Sequence, residues 1–126
     1  QKQQVRSFFG PVSEVLELPE ERLDAFLALT SSGPAYVALI AEAMADGAVA
    51  VGMPRAQAHH LAHRTLAGTA ALLQEQELHP GELKDMVAPP GGTTMAAVRH
   101  LEKAGLRSAL IEAVVAATQH GRGMAK

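Results

Sequence analysis

The segment 34–51 constrains the fold of this chain more than any other stretch. Its apolar residues do not keep to one side of a helix, and among charged residues only Glu42 and Asp46 interrupt them. A helix that is apolar nearly all round is a buried one. We therefore expect a buried helix that stops near Gly52, rather than a membrane span, and one that a single small domain cannot cover alone. Its larger apolar residues are Tyr36, Val37, Leu39, Ile40, Met44 and Val49.

Composition points to one helical domain. A chain of 126 residues fits a single domain. Aromatic residues make up only 3%, tryptophan is absent, and alanine is the commonest residue. Helices lined with alanine and glycine can approach each other closely. With so few large side chains, we expect the domain to complete its core with a partner's surface.

Charge and cysteine content exclude several classes of function. The 11 basic and 13 acidic residues are well mixed, so the electrostatic footprint of a nucleic-acid-binding protein is missing. The absence of cysteine excludes disulfides and thiolate metal sites, and it suits a reducing cytoplasm. No signal-peptide pattern is seen. We expect a cytoplasmic protein that binds neither nucleic acid nor membrane.

Apolar spacing, together with the prolines and glycines that interrupt it, predicts an all-α fold of five to six helices. A partly alternating segment at 12–18 predicts one short strand before them. Besides 34–51, the predicted helices span 19–30, 54–77, 82–87, 94–103 and 106–120, with Gly121 and Gly123 fraying the last of them.

Residues 85–94 read Asp-Met-Val-Ala-Pro-Pro-Gly-Gly-Thr-Thr and contain the strongest candidate site. The prolines stop one helix, and a helical pattern resumes directly after the threonines. A threonine in front of a helix is a good N-cap, so we expect one there. Free N–H groups and the helix dipole at such a start favour an anion, for example a carboxylate. The alternative is an ordinary connection between two helices.

Several further motifs accompany this loop in a fixed order. They are Leu-Thr-Ser-Ser-Gly-Pro-Ala-Tyr at 29–36, Gly-Met-Pro-Arg at 52–55, His-Pro-Gly-Glu-Leu-Lys-Asp at 79–85, Pro-Gly-Gly-Thr-Thr at 90–94 and Gly-Leu-Arg-Ser-Ala-Leu-Ile-Glu-Ala at 105–113. From about Val5 to its end the chain resembles the C-terminal helical domain of pyrroline-5-carboxylate reductase. That family makes proline by reducing a cyclic imine with a nicotinamide cofactor.

The resemblance implies that a dinucleotide-binding Rossmann domain is missing from this chain. Its Gly-x-Gly-x-x-Gly fingerprint is absent, and the nearest candidate, Gly121-Arg122-Gly123, follows a helical run. We expect residues 1–18 to be a remnant of that domain's edge, and residues 19–126 to be the dimerisation and substrate-binding domain. NADPH or NADH would then bind the full-length enzyme only. This chain alone would be inactive, and it would form a homodimer or a higher oligomer.

The resemblance also assigns roles at the loop. The family holds the substrate's carboxylate there, at the dimer interface, through backbone N–H groups and a threonine hydroxyl. Where the family usually has serine, this chain has Pro89, which removes one hydroxyl and one N–H. The predicted substrate-binding residues are Val87, Gly91, Gly92, Thr93 and Thr94, with Val87 near the substrate ring.

Two further positions keep two interpretations each. Ser32 either caps the following helix or faces the cleft as a substrate ligand, and capping is the favoured role. The resemblance implies that Glu77 is the catalytic residue near the imine nitrogen, where its carboxylate stabilises a protonated imine or relays a proton. The alternative is a solvated glutamate at a helix end.

A metal site is not expected. His59 and His63 have the i, i+4 spacing of some zinc ligands, but no glutamate in the His-Glu-x-x-His sense and no third ligand accompany them. We interpret both as solvent-facing. The alternative to the reductase assignment is a non-catalytic helical dimerisation module that uses the loop only structurally.

Overall fold

The computed structural model describes residues 18–124, and this part of the chain contains helices and turns but no strand. The prediction of an all-α fold is confirmed, with six α-helices in the described part after one turn of 3-10 helix at Glu20–Arg22. The predicted strand at 12–18 and the remnant domain at 1–18 fall almost wholly outside the described residues. In chain order the helices are α1 (Leu23–Thr30), α2 (Gly33–Ala50), α3 (Arg55–Glu75), α4 (Pro80–Val87), α5 (Thr93–Ala104) and α6 (Leu106–Met124).

The C-terminus of α2 is closed by a Schellman motif. The Met53 N–H donates to the Ala48 carbonyl (3.0 Å), and the Gly52 N–H donates to the Val49 carbonyl (3.0 Å). Gly52 has a φ of 110°, a left-handed conformation that glycine adopts without a Cβ clash. The predicted stop near Gly52 is confirmed.

The core of residues 35–110 is a seam of alanines between α2 and α3. Alanine lets two helices approach closely, which compensates for the shortage of large side chains. An exposed ion pair between Asp46 and Arg55 (2.9 Å) also joins α2 to the first residue of α3. The seam consists of the buried residues Ala45, Ala58 and Ala62, with Ala48, Val49 and Met53 packed against them.

The second compact unit combines residues 18–34 with residues 111–124. Here the predicted fraying of Gly121 and Gly123 is wrong, because α6 continues to Met124. A Cβ placed on Gly121 would lie 3.3 Å from the Asp24 Oδ1 atom, so α6 approaches α1 closely at this point. This contact accounts for a glycine in a helical position, despite its low helix propensity.

The prediction that α2 is buried is wrong for the single chain. Among its residues only Gly33, Ala41 and Ala45 are buried, whereas Val37 and Leu39 keep 49% and 65% of their surface exposed. No large side chain in the described part is fully buried. The alanine seam covers one side of α2 and leaves Val37, Leu39 and Met44 exposed. Exposed apolar surface of this kind marks an interaction site.

By length and composition alone, the stretch Glu20–Ala50 would be able to cross a membrane, and 6% of its apolar window is buried. Core helices of soluble proteins meet the same criterion. The stretch is also not one continuous helix: α1 ends at Thr30, and the N–H groups of Ser31 and Ser32 both donate to the Leu27 carbonyl (2.9 and 3.1 Å).

Candidate anion-binding site

The segment between α4 and α5 forms a β-turn over residues 89–92. The Gly92 N–H donates to the Pro89 carbonyl (3.2 Å), and Gly91 has a φ of 77°. Proline at the second position and a positive φ at the third are the marks of a type II turn, and Pro90 and Gly91 fill these positions. A Cβ on Gly92 would lie 3.3 Å from the Pro89 carbonyl oxygen. Both glycines of the predicted loop are therefore required by the turn itself.

Directly after this turn, α5 begins with three N–H groups that no carbonyl in the described part of the chain accepts. The first backbone hydrogen bond of the helix runs from the Ala96 N–H to the Gly92 carbonyl (3.2 Å). The N–H groups of Thr93, Thr94 and Met95 come before it. The first turn of α5 contains no acidic residue, so no carboxylate of this turn offsets the positive end of the helix dipole. The N-terminus of α5 therefore offers converging donors to an anion.

The prediction that a threonine caps α5 is wrong. The N-cap is Gly92, whose extended backbone (φ −87°, ψ 171°) follows from the preceding turn, and no side chain makes a cap hydrogen bond. Thr93 and Thr94 are instead the first two helical residues, and both are exposed. Their side chains are thus not needed to close the helix end.

Thr93 and Thr94 also differ from the other threonines of the chain. Of the six threonines, four donate their hydroxyls to the carbonyl four residues earlier in their own helix, at 2.7–2.8 Å. For Thr93 and Thr94 the residues four positions earlier are prolines of the turn, outside the helix. Their hydroxyls remain available to a ligand. The four bonded threonines are Thr30, Thr65, Thr69 and Thr118.

Val87 completes the group of predicted site residues that the structure brings together. It is the last residue of α4, and 56% of its surface is exposed. The buried Ala88 separates it from the turn. The unit α4–turn–α5 thus places an apolar side chain before the turn and hydrogen-bond donors after it. The residues grouped in this unit are Val87, Gly91, Gly92, Thr93 and Thr94.

The other two predicted site residues lie elsewhere in the chain. Glu77 is exposed in the connection between α3 and α4, with a φ of 49°, and is the one non-glycine residue in the described range with a positive φ. A left-handed conformation costs an ordinary residue about 1–2 kcal/mol, and such strain occurs both at helix ends and at functional sites. Ser32 is half-buried immediately before α2, in the unit that contains α1.

Histidines have two different roles. The sequence missed that His79 is the N-cap of α4: its Nδ1 atom accepts a hydrogen bond from the Gly81 N–H (2.9 Å). The signal was the following proline, which is typical of the first position of a helix.

On α3 the rings of His59 and His63 lie 5.9 Å apart. His63 is exposed, whereas His59 is half-buried rather than fully solvent-facing. No three histidine, aspartate or glutamate residues gather as metal ligands in the range 18–124.

The far end of α5 is fixed by an ion pair. Arg107, in α6, donates two hydrogen bonds to the Glu102 carboxylate, at 3.1 and 3.3 Å. These hydrogen bonds, followed by the attraction between the charges, lower the pKa of Glu102 and raise that of Arg107. Between them Gly105 has a φ of 87°. The pair therefore joins α5 to α6 across a sharp turn.

The described residues do not fit a nicotinamide dinucleotide. Such a cofactor requires a glycine-rich turn between a strand and a helix. Gly121 and Gly123, the nearest match in the sequence, both lie inside α6.

Comparison with protein families gives one match over most of the chain. The family model for pyrroline-5-carboxylate reductase dimerisation matches residues 20–124. A pyrroline-5-carboxylate reductase of Synechocystis is 51% identical over 96% of this chain, and those of Arabidopsis thaliana and Escherichia coli are 46% and 43% identical over 97% of it. This chain spans 45%, 44% and 45% of the lengths of these relatives, or slightly less than half.

Solved structures agree with this match. A Plasmodium falciparum pyrroline carboxylate reductase with NADP bound superposes with a TM-score of 0.86 at 29% identity, over 99% of this chain and 48% of that one. A pyrroline-5-carboxylate reductase of Coxiella burnetii gives a TM-score of 0.86 at 34% identity, over 100% of this chain and 47% of that one.

Proposed function

Because the chain belongs to the pyrroline-5-carboxylate reductase dimerisation family, we propose that it is the dimerising, substrate-holding half of a cytoplasmic oxidoreductase. The full-length protein reduces 1-pyrroline-5-carboxylate to L-proline with NADPH or NADH, the last step of proline biosynthesis. Two copies pair through the uncovered apolar faces of α2. The turn before α5 binds the carboxylate of the substrate, and a separate dinucleotide-binding domain of the full-length protein holds the nicotinamide.

The observation that supports this proposal is the set of free donors at the start of α5. Three N–H groups and two hydroxyls lie within three consecutive residues, at the positive end of a helix of 12 residues. Hydrogen bonds to an ionised carboxylate are shorter and stronger than neutral ones. The exposed side chain of Val87, before the turn, offers an apolar contact to the substrate ring. Together these groups match a small ring that carries one carboxylate.

In the same proposal we assign a catalytic role to Glu77. Its carboxylate would stabilise the protonated imine nitrogen, or would relay a proton from water to that nitrogen. The positive φ supports this role, because a glycine at this helix end would remove the strain but also the carboxylate. For Ser32 the position before α2 favours capping, and contact with the substrate is its alternative role.

Thr94→Val in the full-length enzyme tests carboxylate binding. A hydrogen bond to a charged group contributes about 1.5–3 kcal/mol, so we expect the substrate KM to rise roughly ten- to hundredfold. The cofactor KM should not change. Stability should hardly fall, because Gly92 rather than Thr94 is the N-cap.

Thr65→Val is the matched control for this experiment. The Thr65 hydroxyl is exposed but donates to the Leu61 carbonyl (2.7 Å), so its removal should leave both KM values unchanged. If Thr94→Val also leaves the substrate KM unchanged, the turn is only structural and the chain is a dimerisation module without a substrate role.

The chain by itself should oxidise no NADPH or NADH in the presence of the imine, since its described residues do not fit the cofactor.

A further inference from the structure

We infer that Pro89 and Pro90 hold the turn in its ligand-binding shape before any ligand arrives, and so set the affinity of the site for a carboxylate. Both are positioning residues that act through Gly91 and Gly92. This inference rests on the proposed function of the turn. In that function, Pro89 and Pro90 determine how tightly the substrate is held.

The need for such positioning follows from the two glycines. Gly91 must keep a φ of 77°, and Gly92 must keep its N–H on the Pro89 carbonyl (3.2 Å), for Thr93 and Thr94 to start α5 where they do. Glycine is the residue with the most backbone freedom to lose. Two adjacent glycines without restraint would sample many conformations, most of which misdirect the donors that follow.

The two prolines supply the restraint. Each fixes its own φ near −65°, and a proline in the second position is already set for a type II turn. Pro89 supplies the acceptor carbonyl, and its Cγ atom would lie 3.6 Å from a Cβ on Gly92. The turn is thus restrained at its first two positions, directly ahead of the flexible pair.

Little else in the described chain holds this turn. Pro89, Pro90 and Gly91 are all exposed, and the nearest buried anchor is Ala88, which is 3% exposed. Neither proline has an N–H, so all the backbone donors of the site follow Pro90. The prolines therefore shape the site without contacting the ligand through hydrogen bonds of their own.

The test compares Pro89→Ala, Pro90→Ala and the double variant with Pro54→Ala, which removes a proline before α3 and serves as the matched control. In the 15N-labelled chain without ligand, the amide exchange of Gly92 reports how often the turn opens. In the full-length enzyme, the substrate KM reports the fraction of molecules with a closed turn. Removing a proline shifts such an equilibrium by about two- to fivefold, and the double variant should show the larger effect.

The inference predicts that Gly92 exchanges about two- to fivefold faster in each single variant. The substrate KM should rise by up to the same factor, with kcat and the cofactor KM unchanged. Pro54→Ala should change none of these values. Unchanged exchange of Gly92, or an unchanged substrate KM in the double variant, would overturn the inference.

Thr94→Val separates this inference from the proposed function. If Thr94→Val raises the substrate KM and the proline variants do not, the turn binds the substrate but does not depend on the prolines for its shape. If none of these variants changes the substrate KM, the proposed function itself is wrong. Circular dichroism of each variant identifies any general loss of helix, which exchange at Gly92 alone would not distinguish from local opening.

Discussion

Helix α2 and the N-terminus of α5 are both exposed in the single chain, but one exposes apolar side chains and the other exposes hydrogen-bond donors. On α2, Val37 and Leu39 are apolar side chains that no part of the described chain covers. At the start of α5, Thr93 and Thr94 offer donors that no acceptor in that part satisfies. Uncovered apolar area requires a large complementary surface, whereas a few converging donors require a small anion. We therefore propose that a second copy covers the first region and that a ligand binds at the second.

The two regions also differ in how much free energy their partners contribute. Burying one large apolar side chain fully contributes about 1.5–3 kcal/mol, and a two-fold interface counts each such residue twice. One hydrogen bond from a site to a carboxylate contributes about 1.5–3 kcal/mol. Val37, Leu39 and Met44, each counted twice, therefore contribute more than any single hydrogen bond to the ligand, and their contribution does not require the ligand. We expect the dimer to exist with or without substrate.

The largest expected effect comes from placing a charge on the uncovered face of α2. Leu39→Asp would bury an unpaired carboxylate in the proposed interface, and leaving such a charge without a partner costs several kcal/mol. Analytical ultracentrifugation of the chain should show a change from dimer to monomer. Leu39→Met conserves volume and apolar character, so it is the matched control and should stay dimeric. A Leu39→Asp variant that remains dimeric would place the interface elsewhere.

The two interpretations of Glu77 predict different effects on catalysis when its charge is removed. Glu77→Gln keeps the left-handed conformation and removes only the charge, so in the full-length enzyme we expect kcat/KM to fall by about a hundredfold or more. Glu77→Gly should show the same loss of activity but unfold at a higher temperature, because it relieves about 1 kcal/mol of backbone strain. Full activity in Glu77→Gln would show that Glu77 is only a solvated residue in the connection after α3.

The smallest expected effect concerns the exposed ion pair at the far end of α5. Arg107 holds the pKa of Glu102 below 4.5, the ordinary value for a glutamate carboxyl group. The pair therefore stabilises the folded state above that pH, and the contribution is lost as the pH falls through the depressed pKa. Melting temperatures of the chain and of Glu102→Gln should differ slightly at pH 7 and converge once the pH lies below the depressed pKa of Glu102. A difference in melting temperature that stays constant over this pH range would show that the substitution changes stability without breaking this ion pair.

Much of the fold could be predicted from the sequence because prolines and glycines mark the ends of its helices. The stop of α2 near Gly52 is an example, since the left-handed position of a Schellman motif favours glycine. The extent of α6 could not be predicted in the same way. Gly121 appeared to end that helix, and its close approach to Asp24, which favours glycine at a helical position, could not be seen in the sequence.

The candidate site was predicted in location but not in detail. The sequence indicated donors after the prolines, yet it placed a threonine at the N-cap of α5. The structure has Gly92 there, because the type II turn closes one residue earlier than helix periodicity suggests. The left-handed conformation of Glu77 left no signal, since glutamate rarely adopts it. The sequence predicted that α2 is buried and that one small domain cannot cover it. It did not indicate which face stays uncovered, because a single sequence does not distinguish burial within one chain from burial between two.

The mass of the chain in solution tests the central claim most directly. Light scattering at micromolar concentration, without substrate or cofactor, should give twice the chain mass of 13.2 kDa, or a higher multiple. That result would show that α2 finds its cover in a second copy before any ligand binds. A monomer of 13.2 kDa that unfolds cooperatively would contradict the account, because α2 would then be stable with its apolar face in water.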